Sequence, residues 1–230
     1  MPLCERIGMN PEITHIIYDN DGLLLDTEPF YTKAHQAIAA RFGKVFDWSV
    51  KRKMIGLRAE DSANVLIQSL QLPLSIPEYL EARKSIMEEL FPQAEPLTGA
   101  VRLTTHLHRK GFKQAVATSS DRYHFDLKIS RHQEWFRIFE CLVMGDDPEI
   151  KNGKPAPDIF LLAARRMHAE PAHCLVFEDS PAGVKAARAG GMFVVAVPDP
   201  NMNDEEYHDA HQILRSLNDV DLATWNLPPF

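Results

Sequence analysis

The sequence predicts an α/β fold: a doubly wound parallel sheet whose first crossover is expanded by an all-helical insertion. Two observations carry the prediction. From about Pro96 onward, short apolar runs alternate with helical patterns, which is how βαβ units and a sheet covered on both faces read in sequence. Between the first apolar run and that region lies a stretch, Trp48 to Phe91, with helical patterns and no convincing strand. A third observation bears on function. Polar residues collect just past the apolar runs, and in open parallel sheets ligands sit at the carboxyl ends of the strands.

Taken in order, residues 1–13 read as a tail, and Thr14 to Tyr18 as the first strand. Pro29, with Thr27 just ahead, marks a helix start, and that helix runs to about Arg41. The insertion shows helical patterns around 48–54, 59–70 and 77–91, broken at Gly56-Leu57-Arg58 and Leu72-Pro73-Leu74-Ser75. Thr98-Gly99 then precedes a helix to about Arg109. Next come strand Lys113 to Thr118, a helix from about Asp121, strand Glu140 to Met144, and a helix from about Pro155 to Met167. Strand Cys174 to Phe177, helix Ser180 to Ala189 and strand Phe193 to Val197 complete the series, with Gln212-Ile213-Leu214 as an edge strand.

At 230 residues and 45% hydrophobic content the chain can bury a sizeable core. The formal charge of −7 argues against a broad nucleic-acid surface. No run approaches the roughly 18 apolar residues that span a bilayer. Glu5 and Arg6 stand where a signal peptide would have its apolar core. Cys4, Cys141 and Cys174 are sparse and odd in number, which fits a reducing compartment. The expectation is a cytoplasmic monomer with neither nucleic-acid nor membrane partners.

Four strand ends carry the chemistry. Asp19 and Asp21 follow the first strand, Thr118-Ser119-Ser120 the second, Gly153-Lys154-Pro155 the loop after the third, and Glu178-Asp179-Ser180 the fourth. Acids at two strand ends suit a hard divalent cation, Mg²⁺ above all. Hydroxyls and free N–H groups at a strand-to-helix junction form an anion site, and a lysine adds positive charge. Together these describe the surroundings of a phosphoryl group, where one carboxylate can attack phosphorus and another can move a proton. Singly, each has a plainer reading: a turn for Asp19-Asn20-Asp21, a helix cap for Thr118-Ser119-Ser120, a solvated loop for Lys154, and dipole-favoured acids for Glu178-Asp179.

In that order, Asp19-x-Asp21-Gly22, Thr118, Lys154 and Glu178-Asp179 resemble the four motifs of the haloacid dehalogenase (HAD) superfamily. The block at 48–91 resembles its small helical cap. The resemblance implies a HAD-like Rossmannoid core at 1–28 and 97–230, with the cap at 29–96. Gly145-Asp146-Asp147-Pro148-Glu149, Gly153-Lys154-Pro155-Ala156-Pro157-Asp158 and Phe125-Asp126-Leu127-Lys128 are similar to the group containing pseudouridine-5′-phosphatase and plant glycerol-3-phosphatase. It implies Asp19 as nucleophile and Mg²⁺ ligand, and Asp21 as general acid/base that also offers its backbone carbonyl to the metal. It further implies Thr118 and the Ser119 backbone as phosphate holders, Lys154 as the neutralising cation, Asp179 as a metal ligand and Glu178 nearby. Arg58, in the cap loop, is expected to face substrate.

The expected activity is a Mg²⁺-dependent phosphatase of a small phosphorylated metabolite, with pseudouridine 5′-phosphate ahead of glycerol 3-phosphate or a sugar phosphate. Asp21 argues against the dehalogenases, which lack it. Tyr31 and Arg58-Ala59 stand where the sugar phosphomutases carry a histidine and a Ser-Arg pair. A non-catalytic phospho-ligand-binding module is the alternative of another class. Asn20 departs from the family pattern, which usually has an apolar residue between the two aspartates.

Overall fold

The computed structural model describes residues 12–230; the expected N-terminal tail and Cys4 lie almost wholly outside that range. Six parallel strands form one sheet in the order β3-β2-β1-β4-β5-β6. They are β1 His15–Tyr18, β2 Lys113–Thr118, β3 Cys141–Met144, β4 Cys174–Glu178, β5 Phe193–Ala196 and the short edge β6 Gln212–Ile213. β1 lies between β2 and β4, with His15 opposite both Lys113 and Cys174.

The strands are apolar on both faces because both faces are covered. Ile16, Tyr18, Val116, Leu175 and Phe177 point into one core with Leu103, Leu107, Phe125 and Trp225. Their chain neighbours Ile17, Ala115, Ala117 and Val176 point into the other, with Phe160, Ala163, Val184 and Ala187. The first layer holds helix α5 (Ala100–Arg109), α6 (Arg122–Lys128) and the single-turn α7 (Gln133–Phe136). The second holds α8 (Asp158–Arg166) and α9 (Pro181–Ala189). Asp121 and Ser180 cap α6 and α9 by accepting the His124 and Gly183 amides.

The insertion is helical throughout. The helix α1 (Glu28–Ala40) leads into α2 (Trp48–Lys51), α3 (Ala59–Leu70) and α4 (Ile76–Leu90). Ser75 and Glu78 form a reciprocal capping box at the start of α4. Ile38, Phe46, Val50, Leu66, Ile67 and Tyr79 make a hydrophobic cluster of the block's own. Its two connections to the sheet run side by side: Asp26 N–H donates to Glu95 O at 2.9 Å and Leu97 N–H to Leu24 O at 2.9 Å. No helix among the described residues is long and apolar enough to cross a membrane.

One boundary differs from expectation for a physical reason. The helix expected from Pro155 begins at Asp158, because the Asp158 carboxylate accepts the Lys151 and Asn152 amides at 3.2 and 3.0 Å and holds the preceding segment in a loop. Thr27 does precede α1 but does not cap it; its hydroxyl is bonded elsewhere, to Asp21. The one-turn α7 carries too short a pattern to be read from sequence.

Candidate active site

The site lies where β1 and β4 end beside each other. The strand order reverses at this point, which opens a crevice at the carboxyl edge. The Asp19 amide continues the ladder to Phe177 O at 3.0 Å, and then the chain turns sharply: Asn20 O accepts both Leu24 and Leu25 amides. Gly22 makes that turn possible. It sits at φ +76°, and a Cβ there would collide with Asp179 Oδ2. Gly22→Ala is therefore expected to displace the Asp179 carboxylate as well as strain the turn. The backbone alone should lose about 1–2 kcal/mol, read as a lower Tm.

Lys154 is almost wholly buried and stands between two acids, 2.5 Å from Asp19 Oδ1 and 2.5 Å from Glu178 Oε1. Burial alone would lower its pKa, but the two carboxylates outweigh burial and hold it well above its usual value. Oxygens of Asp19, Glu178 and Asp179 lie within 4.8 Å of one another. Burial pushes the Asp19 carboxyl up to about 7, against the pull of Lys154 and with repulsion from Glu178 and Asp21 adding to it. Burial likewise raises Asp179, and Glu178 and Asp19 add to the shift. Three crowded acids with one ammonium between them favour a further cation, and an all-oxygen donor set fits a hard divalent ion. Ser180 keeps the far oxygen of Glu178 in place through its amide at 2.6 Å and its hydroxyl at 2.9 Å.

Asp21 belongs to a different set of contacts. Its carboxylate is not in the three-acid cluster but meets a second buried lysine, Lys128, at 2.5 Å. Thr27 donates to Oδ1 at 2.7 Å, and Thr118 and Ser120 donate to Oδ2 at 3.2 and 3.0 Å. Burial raises this carboxyl, but Lys128 and the hydroxyl donors more than offset burial and leave it below the usual range. Sequence alternation alone would place both aspartates on one strand face with shared partners. Because β1 ends at Tyr18, they face one cavity with a lysine each.

That cavity has a volume of about 300 Å³. Asp19, Asp21, Asp179, Thr118, Ser119 and Ser120 line it from the sheet edge, and the helical block closes the other side. Ser119 donates to Gly56 O at 3.3 Å, so the expected cap loop does meet the site. Arg58 lines the cavity, and its Nε and Nη2 are buried without a partner among the described residues. Glu28, paired with Lys51 at 3.2 Å, and Arg83, His35, Tyr31 and Phe91 complete the wall. Burial, with Arg83 and Lys51 nearby, pushes His35 down to about 3, so it is neutral. Asn20 is fully buried; its amide nitrogen is 3.5 Å from Asp21 Oδ2 and its Oδ1 has no partner among the described residues.

Sequence reasoning placed Ser120 at a strand end without giving it a role, and assigned no site role to Thr27, Lys128, Glu28, Lys51 or Arg83. Thr27 and Ser120 sit next to recognised motifs and were open to discovery there. The lysines and Arg83 lie inside helices, where a charged residue reads as part of a solvated face.

Comparison with known proteins identifies the family. The model of the haloacid dehalogenase-like hydrolases matches residues 16–197. A (DL)-glycerol-3-phosphatase 2 of Arabidopsis thaliana is 48% identical over 223 residues, covering 95% of this chain and 93% of the relative. A Drosophila melanogaster protein named as a probable pseudouridine-5′-phosphatase is 43% identical over 222 residues, covering 95% and 96%. The crystal structure of CbbY from Rhodobacter sphaeroides in complex with phosphate shares the fold, with a TM-score of 0.78 at 24% identity over 94% of this chain and 100% of that one. The chain thus belongs to the haloacid dehalogenase-like hydrolases, and within them it is a phosphoric monoester hydrolase.

Proposed function

We propose that the protein is a Mg²⁺-dependent phosphatase that hydrolyses pseudouridine 5′-phosphate through an aspartyl-phosphate. The observation that carries the chemistry is Lys154 set between Asp19 and Glu178, with Asp179 beside them on the cavity floor. Asp19 attacks phosphorus; the new bond is Asp19 O–P, and the bond broken is that from phosphorus to the ester oxygen. Asp21 gives the departing oxygen a proton, which it takes up from solvent against the pull of Lys128 before the chemical step. Asp21 then takes a proton from water as the water attacks the phosphoryl-aspartate, which releases phosphate and restores Asp19. Thr118 and the Ser119 backbone hold the phosphoryl oxygens, and Lys154 balances their charge. Asp19, Asp179 and the Asp21 carbonyl would hold Mg²⁺, with Glu178 nearby, and the ion would supply charge neutralisation at the phosphoryl group.

Residues 29–96 act as the cap over a core formed by 1–28 and 97–230. Closure of the cap excludes bulk water. The cavity wall supports a nucleoside leaving group. Tyr31, Phe91, Met54, Ile55 and Leu57 offer flat and apolar surface, while Arg58, Arg83 and His35 offer donors to carbonyl oxygens. The unpartnered nitrogens of Arg58 would be satisfied by such a substrate. Glycerol 3-phosphate is the second reading, favoured by the 48% identity to a glycerol-3-phosphatase.

A panel of phosphomonoesters, with free phosphate as readout, tests both readings. Pseudouridine 5′-phosphate is expected to give the highest kcat/KM; chelation should abolish phosphate release and added Mg²⁺ restore it. A higher value for glycerol 3-phosphate selects the second reading. No release from any ester by folded protein leaves a phospho-ligand-binding module.

A further inference from the structure

The roles above leave the buried charge of Lys128 without a task. Lys128 ends α6 with no exposure to solvent. Its ammonium has three polar contacts: Asp21 Oδ1 at 2.5 Å, Ser120 Oγ at 2.6 Å and Tyr31 OH at 2.8 Å. These match the three donors of an ammonium. The Phe91 ring lies 4.5 Å away. Asp21 is its one carboxylate partner among the ion pairs of the described residues.

A buried cation of this kind is expensive unless it is fully paired, and a fold retains it only with its partners fixed. The partners come from four places. Asp21 follows β1, Ser120 follows β2, Tyr31 lies in the first turn of α1, and Phe91 directly follows α4. The last two are the points where the chain enters and leaves the helical block. Lys128 therefore joins the Asp21 carboxylate to both connections of that block.

We propose that Lys128 is the positioning residue for Asp21. It sets the orientation from which Asp21 delivers a proton to the leaving oxygen, and it ties that orientation to the two cap connections. This rests on the reading of Asp21 as the acid.

The test compares two esters by kcat/KM, which reports only steps up to departure of the leaving group. Glycerol 3-phosphate has an alkoxide leaving group that needs a proton; p-nitrophenyl phosphate has one that leaves without it. Lys128→Met is expected to lower kcat/KM for the alkyl ester roughly 100-fold, the low end of what acid catalysis supplies, and for the nitrophenyl ester less than about threefold. Lys128→Gln keeps a donor to Asp21 and should recover part of the loss. It carries the comparison if the methionine variant does not fold. Asp21→Asn should show the same selectivity, and Asp21→Asn with Lys128→Met should be no worse than Asp21→Asn alone. Equal losses on both esters for the Lys128 variants, or no loss, overturn the proposal while the acid assignment stands. Equal losses for Asp21→Asn overturn the acid assignment and the proposal with it.

Discussion

Asp19→Asn is expected to abolish turnover and leave the fold intact: kcat should fall by at least about 10⁴-fold, the scale on which removal of a nucleophile, the role proposed for Asp19, acts. The amide has the same shape as the carboxylate, and Lys154 keeps Glu178 as partner at 2.5 Å. The neutral group also relieves crowding among Asp19, Glu178 and Asp179, so the Tm of the variant should equal or exceed that of the wild type. Phosphate release and a thermal melt check both halves. Activity above about a tenth of the wild-type value would remove Asp19 as nucleophile.

The second large effect is on stability. Lys154→Met deletes the ammonium between two buried carboxylates and leaves both without a counter-charge. Breaking a buried ion pair from one side costs about 3–5 kcal/mol. For a chain of this size that lowers Tm by roughly 10–15 °C. Turnover should be lost as well, since the same ammonium is proposed to balance the phosphoryl charge. Adding Glu178→Gln to Lys154→Met removes one of the stranded charges and should recover part of the Tm, though none of the activity. If Lys154→Met melted with the wild type, the charge balance described for the cavity floor would be wrong.

The fold was legible in sequence wherever a signal was local. Apolar runs such as Ile16-Ile17-Tyr18 and Leu175-Val176-Phe177 read as buried strands because both faces are covered. Asp19, Thr118, Glu178 and Asp179 were legible because polar residues at the end of such runs stand out against them, and Lys154 because of the loop motif that follows the third run. Their partners were not. Lys128 follows Phe125-Asp126-Leu127 on a short helix, and only the fold brings it to Asp21. Arg83 sits in a charged helix, Glu81-Ala82-Arg83-Lys84, and only the fold turns it toward the cavity. The split between Asp19 and Asp21 was hidden for another reason. Alternation holds along a strand, and the strand ends one residue before the motif starts.

The central position of β1 has a consequence for how the enzyme comes into being. His15 to Tyr18 take their neighbours from Lys113 to Val116 on one side and Cys174 to Phe177 on the other. Asp19, the proposed nucleophile, is among the first described residues of the chain, yet its counter-charge and acidic neighbours come from the chain's last third. Pairings this distant in sequence must close long loops before they are rewarded. During synthesis the nascent chain carries Asp19 long before it carries Lys154, Glu178 or Asp179. Catalytic competence is therefore a late event of maturation, gained as the β4 segment docks against β1.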